Sequence, residues 1–265
     1  PMCTLRIFPH LTDHCIEWAR DQFELLFVKL GKSAQNYLEN PLMFEEKVRD
    51  MSKSEPGVAF FDCRCLTSLL RAAKNPTIGA AAQLAYDLFH YLFRDRIKDL
   101  QSAFPRDARM TDENKNDIGP FWSEKKRYPS VVVFNSEDDS HVDYMISCTC
   151  LFACMLGLVS PKEEGDNEWC AEFRTRDWLL GVVSSLNPPE YIQAPVSGAG
   201  LEGPDNNEAQ MDAIIDRLFG DLRSEASGLC LPSLEPADFE KDDDYNFHIS
   251  FIIFLSKFFH KNITK

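Results

Sequence analysis

The chain has 265 residues, of which 44% are hydrophobic and 12% aromatic, enough to build a substantial core. Forty-two acidic residues against 28 basic ones leave a formal net charge of −14, whereas a protein that grips nucleic acid by neutralising phosphates needs the opposite balance. No stretch reaches the ~18–20 apolar residues of a membrane-spanning helix. The run from Phe251 to Leu255 near the end is far too short, so no membrane contact is expected.

The chain opens with Pro-Met-Cys-Thr-Leu-Arg-Ile-Phe-Pro over residues 1–9. Proline fixes φ and biases the residue before it toward extended backbone, so this segment is predicted to be an extended strip carrying Cys3. Helical periodicity then takes over. Behind Thr12, read as an N-cap, Ile16, Ala19, Phe23, Leu26, Phe27 and Leu30 fall on one helical face. Asn40-Pro41 breaks the pattern. Further helices are predicted over Met43 to Met51, over Val58 to Ala73, and from behind Thr77 along a long apolar side to Leu100, ended by Phe104-Pro105.

Residues 105–120 are rich in Asp and Asn and read as a loop, and Val131 to Phe134 as a short β-like run. His141 to Leu158 is an apolar helix, and Trp178 to Leu186 a shorter one. Residues 195–208 carry Pro, Gly and Asn and read as a mobile loop. Met211, Ile214, Ile215, Leu218 and Leu222 mark an amphipathic helix. The charged stretch Asp238 to Asp244 precedes a last apolar run. The expected fold is mostly α, a multi-helix, two-lobed domain with minor short β elements and a seam near residues 105–135.

Nine cysteines are present. The opening residues carry no secretory pattern, so a reducing compartment is expected. Cys63 with Cys65, and Cys148 with Cys150 and Cys154, invite a zinc reading. There is no Cys-x-x-Cys pair, however, and the histidines are not at finger-like spacing, so these cysteines read as buried small hydrophobes and no metal is expected. Cys3 differs, because a thiol on an extended strip is a candidate nucleophile. A thiolate is intrinsically very nucleophilic, and a nearby cation raises its fraction. Arg6 is the nearest cation, although in an extended strip it points to the opposite side from Cys3. Thr4 can cap a following helix or donate a hydroxyl hydrogen bond. A papain-like protease needs a histidine beside its cysteine. His10 and His14 are near in sequence, but no protease signature surrounds Cys3.

The strip resembles the active-site signature of ubiquitin-activating enzymes, which reads Pro, apolar, Cys, Thr, aliphatic, basic, any residue, often Phe, then Pro. The run Gly119-Pro-Phe-Trp-Ser-Glu-Lys-Lys-Arg127 is similar to that family's Pro-Phe-Trp-Ser run with its basic pair, although Phe121 and Trp122 can also simply anchor a loop. Glu17-Trp-Ala-Arg-Asp21 and Phe239 to His248 match further landmarks in order, with His248 read as structural. Two departures stand out: Ala80 and Ala81 replace an Asp-Cys pair frequent in relatives, and the sequence after Phe251 drifts from the family pattern.

The resemblance implies a catalytic-cysteine half-domain over residues 1–250, then a divergent segment over 251–265 leading back toward an adenylation domain. It implies that Cys3 carries ubiquitin as a thioester, with Thr4 and Arg6 shaping the strip and its electrostatics. It further implies ubiquitin, ubiquitin-conjugating enzymes and an adenylation domain as partners, in cytoplasm and nucleus. ATP and magnesium would belong to that other domain. This sequence has no Gly-x-Gly-x-x-Gly after a strand and no phosphate loop, so no cofactor is expected in this fragment, which is not expected to be competent alone. The alternatives are a non-catalytic module that docks ubiquitin or a conjugating enzyme, and activation of another ubiquitin-like modifier.

Overall fold

A computed structural model describes residues 11–111, 114, 116–123, 127–159, 175–194, 208–229, 234–242 and 246–263. Ten helices, α1 to α10, and one small β-hairpin are found among the described residues. The expected mostly α class is therefore observed.

The first long helix is α1 (Thr12–Phe23), a π-helical segment (Glu24–Lys29), and α2 (Leu30–Glu39) in direct continuation. Thr12 is not its cap. Leu11 occupies that position with no side-chain acceptor, and Thr12 is already helical. Ile16, expected on the apolar face, is exposed. The Asn40-Pro41 break starts the next helix, α3 (Pro41–Ser54). The Asn40 side chain accepts a 3.2 Å bond from the Met43 N–H, and proline fits the first helical position, where an N–H would be unsatisfied anyway. α4 (Pro56–Lys74) follows. Thr77 caps α5 (Ile78–His90), its hydroxyl accepting from the Ala80 N–H at 3.1 Å. A second π-helical segment (Tyr91–Asp95) then leads into α6 (Arg96–Ala103).

The expected loop at 105–120 contains a hairpin, β1 (Arg109–Thr111) paired antiparallel with β2 (Asp117–Pro120), irregular between Met110 and Thr111. Gly119 sits at φ +123°, a conformation that only glycine adopts freely. Asp117 accepts from the Gly119 N–H at 2.9 Å and from Arg109 at 2.5 Å, fixing the turn locally. Phe121 and Trp122 act as loop anchors. Phe121 stacks on Phe104 at 4.2 Å, and the indole N–H of Trp122 donates to the Phe104 and Pro105 carbonyls. The β-like run at Val131 to Phe134 forms no strand. Its Val132 N–H instead donates to the carbonyl of Phe93, inside the second π-helical segment.

The remaining helices are α7 (Asp139–Met155, capped by Asp138), α8 (Arg176–Val183, capped by Thr175), α9 (Glu208–Ala226) and α10 (His248–Ile263). The loop expected at 195–208 lies outside the described residues except for Glu208, which begins α9.

Two apolar clusters share α4. One face of α4 supplies Phe61, Leu66, Leu69 and Leu70 to the main core, built with α1, α2, α5, α7 and α10. Its other face packs Ala59, Phe60 and Cys63 against Val48 of α3 and Ile215, Leu218 and Phe219 of α9. The last apolar run is an integral part of the main core. Phe251, Leu255 and Phe258 of α10 are buried, and the 250/251 position falls inside this continuous helix.

The Phe251 ring sits 5.1 Å from Phe27 and 6.0 Å from Tyr144 and is fully buried. Phe251→Ala is therefore expected to cost about 3–5 kcal/mol in urea denaturation, and Asn40→Ala, which removes only a cap, about 1 kcal/mol.

Candidate functional site: the frame behind the cysteine strip

Cys3, Thr4 and Arg6 lie outside the described residues. What the structure gives is the frame into which their strip leads. Immediately beyond residue 10 the chain enters α1, whose buried side, Cys15, Trp18, Ala19 and Phe23, packs along α10. Trp18 meets Phe259 at 4.2 Å, Phe23 meets His248 at 4.8 Å, and the Cys15 sulfur lies 3.9 Å from Nδ1 of His260. Early residues of α1 thus face late residues of α10. The two helices are antiparallel, so residue 11 and the end of α10 lie at the same end of the domain.

His248 has the structural role read from the sequence. Its Nδ1 accepts from the Glu240 N–H at 3.1 Å, its own N–H donates to Asn246 at 2.9 Å, and its ring stacks on Phe239. This fastens the segment before α10 onto α1.

The described cysteines behave as core residues. Cys15, Cys63, Cys148 and Cys150 are buried. Burial pushes the thiols of Cys15, Cys65 and Cys148 up, and that of Cys63 up to about 12, with Asp62 and Glu45 adding to the effect. A thiol held this way is a poor nucleophile at neutral pH. Among the described residues, no three His, Cys, Asp or Glu side chains converge as metal ligands.

Sequence reasoning missed a buried polar network around the second π-helical segment. Asp95, only 1% exposed, accepts from Arg94 Nε at 2.6 Å and stands 3.6 Å from Arg64. Arg94 also donates to the carbonyl of Pro189 at 2.8 Å. Residues 187–194 run as a strap over α5 and α6, held by side chains rather than by sheet or helix. Gln83 bonds Asn187 through both amide atoms, and Asp99 accepts from the Tyr191 hydroxyl at 2.7 Å and from the Ala194 N–H at 3.1 Å. The available signal was the charged run Arg94-Asp95-Arg96 interrupting an apolar stripe. A second polar contact joins α3 to α9, where Arg223 donates through two nitrogens to the buried Glu45. Tyr37 nearby is raised to about 12 by burial and then by Glu45.

Burial raises Asp99 to about 6 even though Tyr191 and Ala194 both donate to it. Its folded-state value exceeds the ordinary one, so its stabilising contribution is complete below the unfolded value and is lost as pH rises through about 6. Asp99→Asn keeps an acceptor for both donors and removes the ionisation. Between pH 7.5 and 5.0 the unmodified chain should gain about 1 kcal/mol more stability than this variant. Parallel denaturation curves across that range would show that Asp99 does not titrate in the fold.

The family model "Ubiquitin-activating enzyme, SCCH domain" matches residues 9–258. Ubiquitin-activating enzyme E1 1 of Schizosaccharomyces pombe is 32% identical over 95% of this chain, and ubiquitin-like modifier-activating enzyme 1 of Homo sapiens 30% identical over 97%. Ubiquitin-activating enzyme E1 2 of Arabidopsis thaliana is 30% identical over 100% of the chain, the opening strip included. The alignments take in only 23%, 22% and 23% of these relatives, so the chain spans less than a quarter of their length. With a mostly helical fold and a match over nearly all its residues, the chain belongs to the ubiquitin-activating enzyme family as its SCCH domain, a catalytic-cysteine domain.

Proposed function

We propose that Cys3 is the residue through which this domain acts, accepting the C-terminus of ubiquitin as a thioester and passing it to a conjugating enzyme. The observation that carries the reading is the nine-residue strip around Cys3, in a chain that belongs to the ubiquitin-activating family. In the first transfer the Cys3 thiolate attacks the carbonyl carbon of a ubiquitin acyl-adenylate. The sulfur–carbon bond forms, the bond from that carbon to the phosphate oxygen breaks, and AMP leaves. In the second, the thiolate of a conjugating enzyme attacks the same carbon and Cys3 leaves as a thiolate. Dividing acyl transfer into two thiol steps avoids one hard step.

Several features support this reading. Four described cysteines have thiols pushed up by burial and are unsuited to the chemistry. Thr4 and Arg6 sit in the same strip, Arg6 contributing to its local electrostatics and Thr4 a hydroxyl that shapes the backbone. The antiparallel α1 and α10 bring the two ends of the frame together, which suits a domain that swings as a unit between an adenylate and a conjugating enzyme. The adenylate itself, with its ATP and magnesium, is assigned to a separate adenylation domain, so the piece alone is not competent. For the compartment we take cytoplasm and nucleus, where thiols stay reduced.

The test uses the longer enzyme with ATP, magnesium and ubiquitin, run on non-reducing gels with intact-mass detection. The expected result is a reductant-sensitive ubiquitin adduct that disappears in Cys3→Ala. An adduct that persists in the variant overturns the assignment. An adduct made only with another ubiquitin-like modifier would keep Cys3 and replace the substrate.

A further inference from the structure

The first long helix, α4, α5 and α7 enclose a half-open cavity of about 50 Å³. Both π-helical segments reach it, the first through Leu26 and the second through Tyr91, and π turns recur at functional sites. Most of the wall is aliphatic and aromatic, with Phe61 stacked on Tyr91 at 4.5 Å. Two hydrogen-bond acceptors share that wall, the Asp87 carboxylate of α5 and the Ser68 hydroxyl of α4.

Charge around the cavity is unevenly matched. Arg64 lines it too, but its guanidinium faces Asp95 at 3.6 Å in a buried ion pair and lies over the rings of Phe60 and Tyr91. Arg94 and Arg71, whose charges also act on Asp87, are bonded to other carboxylates, Arg94 to Asp95 at 2.6 Å and Arg71 to Glu225 at 2.7 Å. Asp87 itself has no ion pair among the described residues. Its donor is the neutral amide of Gln83, 2.7 Å from Oδ1. Burial raises the Asp87 carboxyl to about 6 against the pull of Gln83 and of the three arginines, the mark of a charge that its surroundings under-compensate. A carboxylate bonded at one oxygen keeps lone pairs for further donors.

We propose that this cavity binds a primary ammonium group, which donates to the Asp87 carboxylate and the Ser68 hydroxyl while its alkyl body rests on the apolar wall. An anion would face the Asp87 carboxylate. A neutral ligand would shut that carboxylate away from water without a countercharge, which is costly. An ammonium carries three donors and no acceptor, so it matches a wall whose Asp87 and Ser68 groups accept, and its hydrogen bond to a carboxylate is charge-assisted. The Arg64 charge does not exclude it, because Asp95 stands against that guanidinium. At about 10–15 Å³ per small probe, the volume holds roughly three to five non-hydrogen atoms, an ammonium head with a short alkyl body. That group ends small alkylamines and the side chain of lysine.

The test is a titration of the ¹⁵N-labelled chain with propylamine at neutral pH, where the amine is protonated, followed by NMR. Saturable shifts are expected at Leu26, Ser68 and Tyr91, with binding about tenfold weaker for 1-propanol and for propionate, which lack the positive charge. Asp87→Asn keeps an acceptor for Gln83 and removes the charge, so it should weaken propylamine by a similar factor and leave 1-propanol unchanged. A parallel titration with Nα-acetyl-lysine methylamide identifies the source. Tighter binding of propylamine assigns a free small amine, and tighter binding of the lysine compound a partner's side chain. Unsaturable or scattered shifts, equal binding of propylamine and 1-propanol, or undiminished propylamine binding in a folded Asp87→Asn chain overturns the proposal, and the compound series decides it even where the variant misfolds.

Discussion

The antiparallel packing of the first and last helices is the constraint on which the rest of the domain depends. Cys15, Trp18 and Phe23 on one side and Phe251, Phe259 and His260 on the other form an aromatic seam between segments more than 200 residues apart in sequence. Phe27 extends the seam to Phe152 of α7, and Phe258 extends it to Phe89 and Phe93 of the central helices. Edge-to-face and tilted rings at these separations add attraction beyond simple area burial. Closing so long a loop costs chain entropy that grows only slowly with its length, and this seam offsets it. The seam also fixes the start of α1, to which residues 1–9 connect in sequence.

A second principle is the division of labour among polar groups. The core accepts cysteines as small hydrophobes and in doing so raises the thiol pKa values of Cys15, Cys63, Cys65 and Cys148, which makes them poor nucleophiles at neutral pH. Charged groups that are buried have partners from distant elements: Arg223 with Glu45 ties α9 to α3, and Arg94 with Asp95 and Pro189 ties the strap to the second π-helical segment. Removing one member of such a pair would strand the other, so these contacts specify which elements meet more than they add stability. Arg64 and Asp95 face each other at 3.6 Å, a buried ion pair without a hydrogen bond between the facing atoms among the described residues.

Much of the fold was legible in the sequence. Asn40-Pro41 and Thr77 mark helix starts by a mechanism visible in the residues themselves, a side-chain acceptor for an unsatisfied N–H. Phe121 and Trp122 could be read as loop anchors because large aromatics in a polar stretch must bury somewhere. Other features were not legible. The π-helical segments are invisible to a periodicity count, because one inserted residue leaves apolar side chains at nearly helical spacing on both sides. Thr12 failed as a cap because its acceptor was judged by type alone, and the backbone turned helical one residue earlier than the pattern required. The hairpin between Arg109 and Pro120 is held by Asp117 and a left-handed Gly119 instead of by alternating apolar residues, so it carries no strand signature. The strap at 187–194 is extended, and its partners lie about a hundred residues away. Cys3, which lies outside the described residues, is singled out by the pattern around it alone, since nothing in composition separates it from the eight other cysteines.

The most direct test of this account is to locate the ubiquitin on the protein. In the longer enzyme carrying Cys3→Ser, a transferred ubiquitin would be held as an oxyester, which survives digestion better than a thioester. Peptide mass spectrometry should then find the ubiquitin-derived remnant at position 3, and at none of Cys15, Cys63, Cys65 or Cys148. A remnant on any of those buried positions would contradict the claim that the core silences its own thiols and leaves the chemistry to the strip.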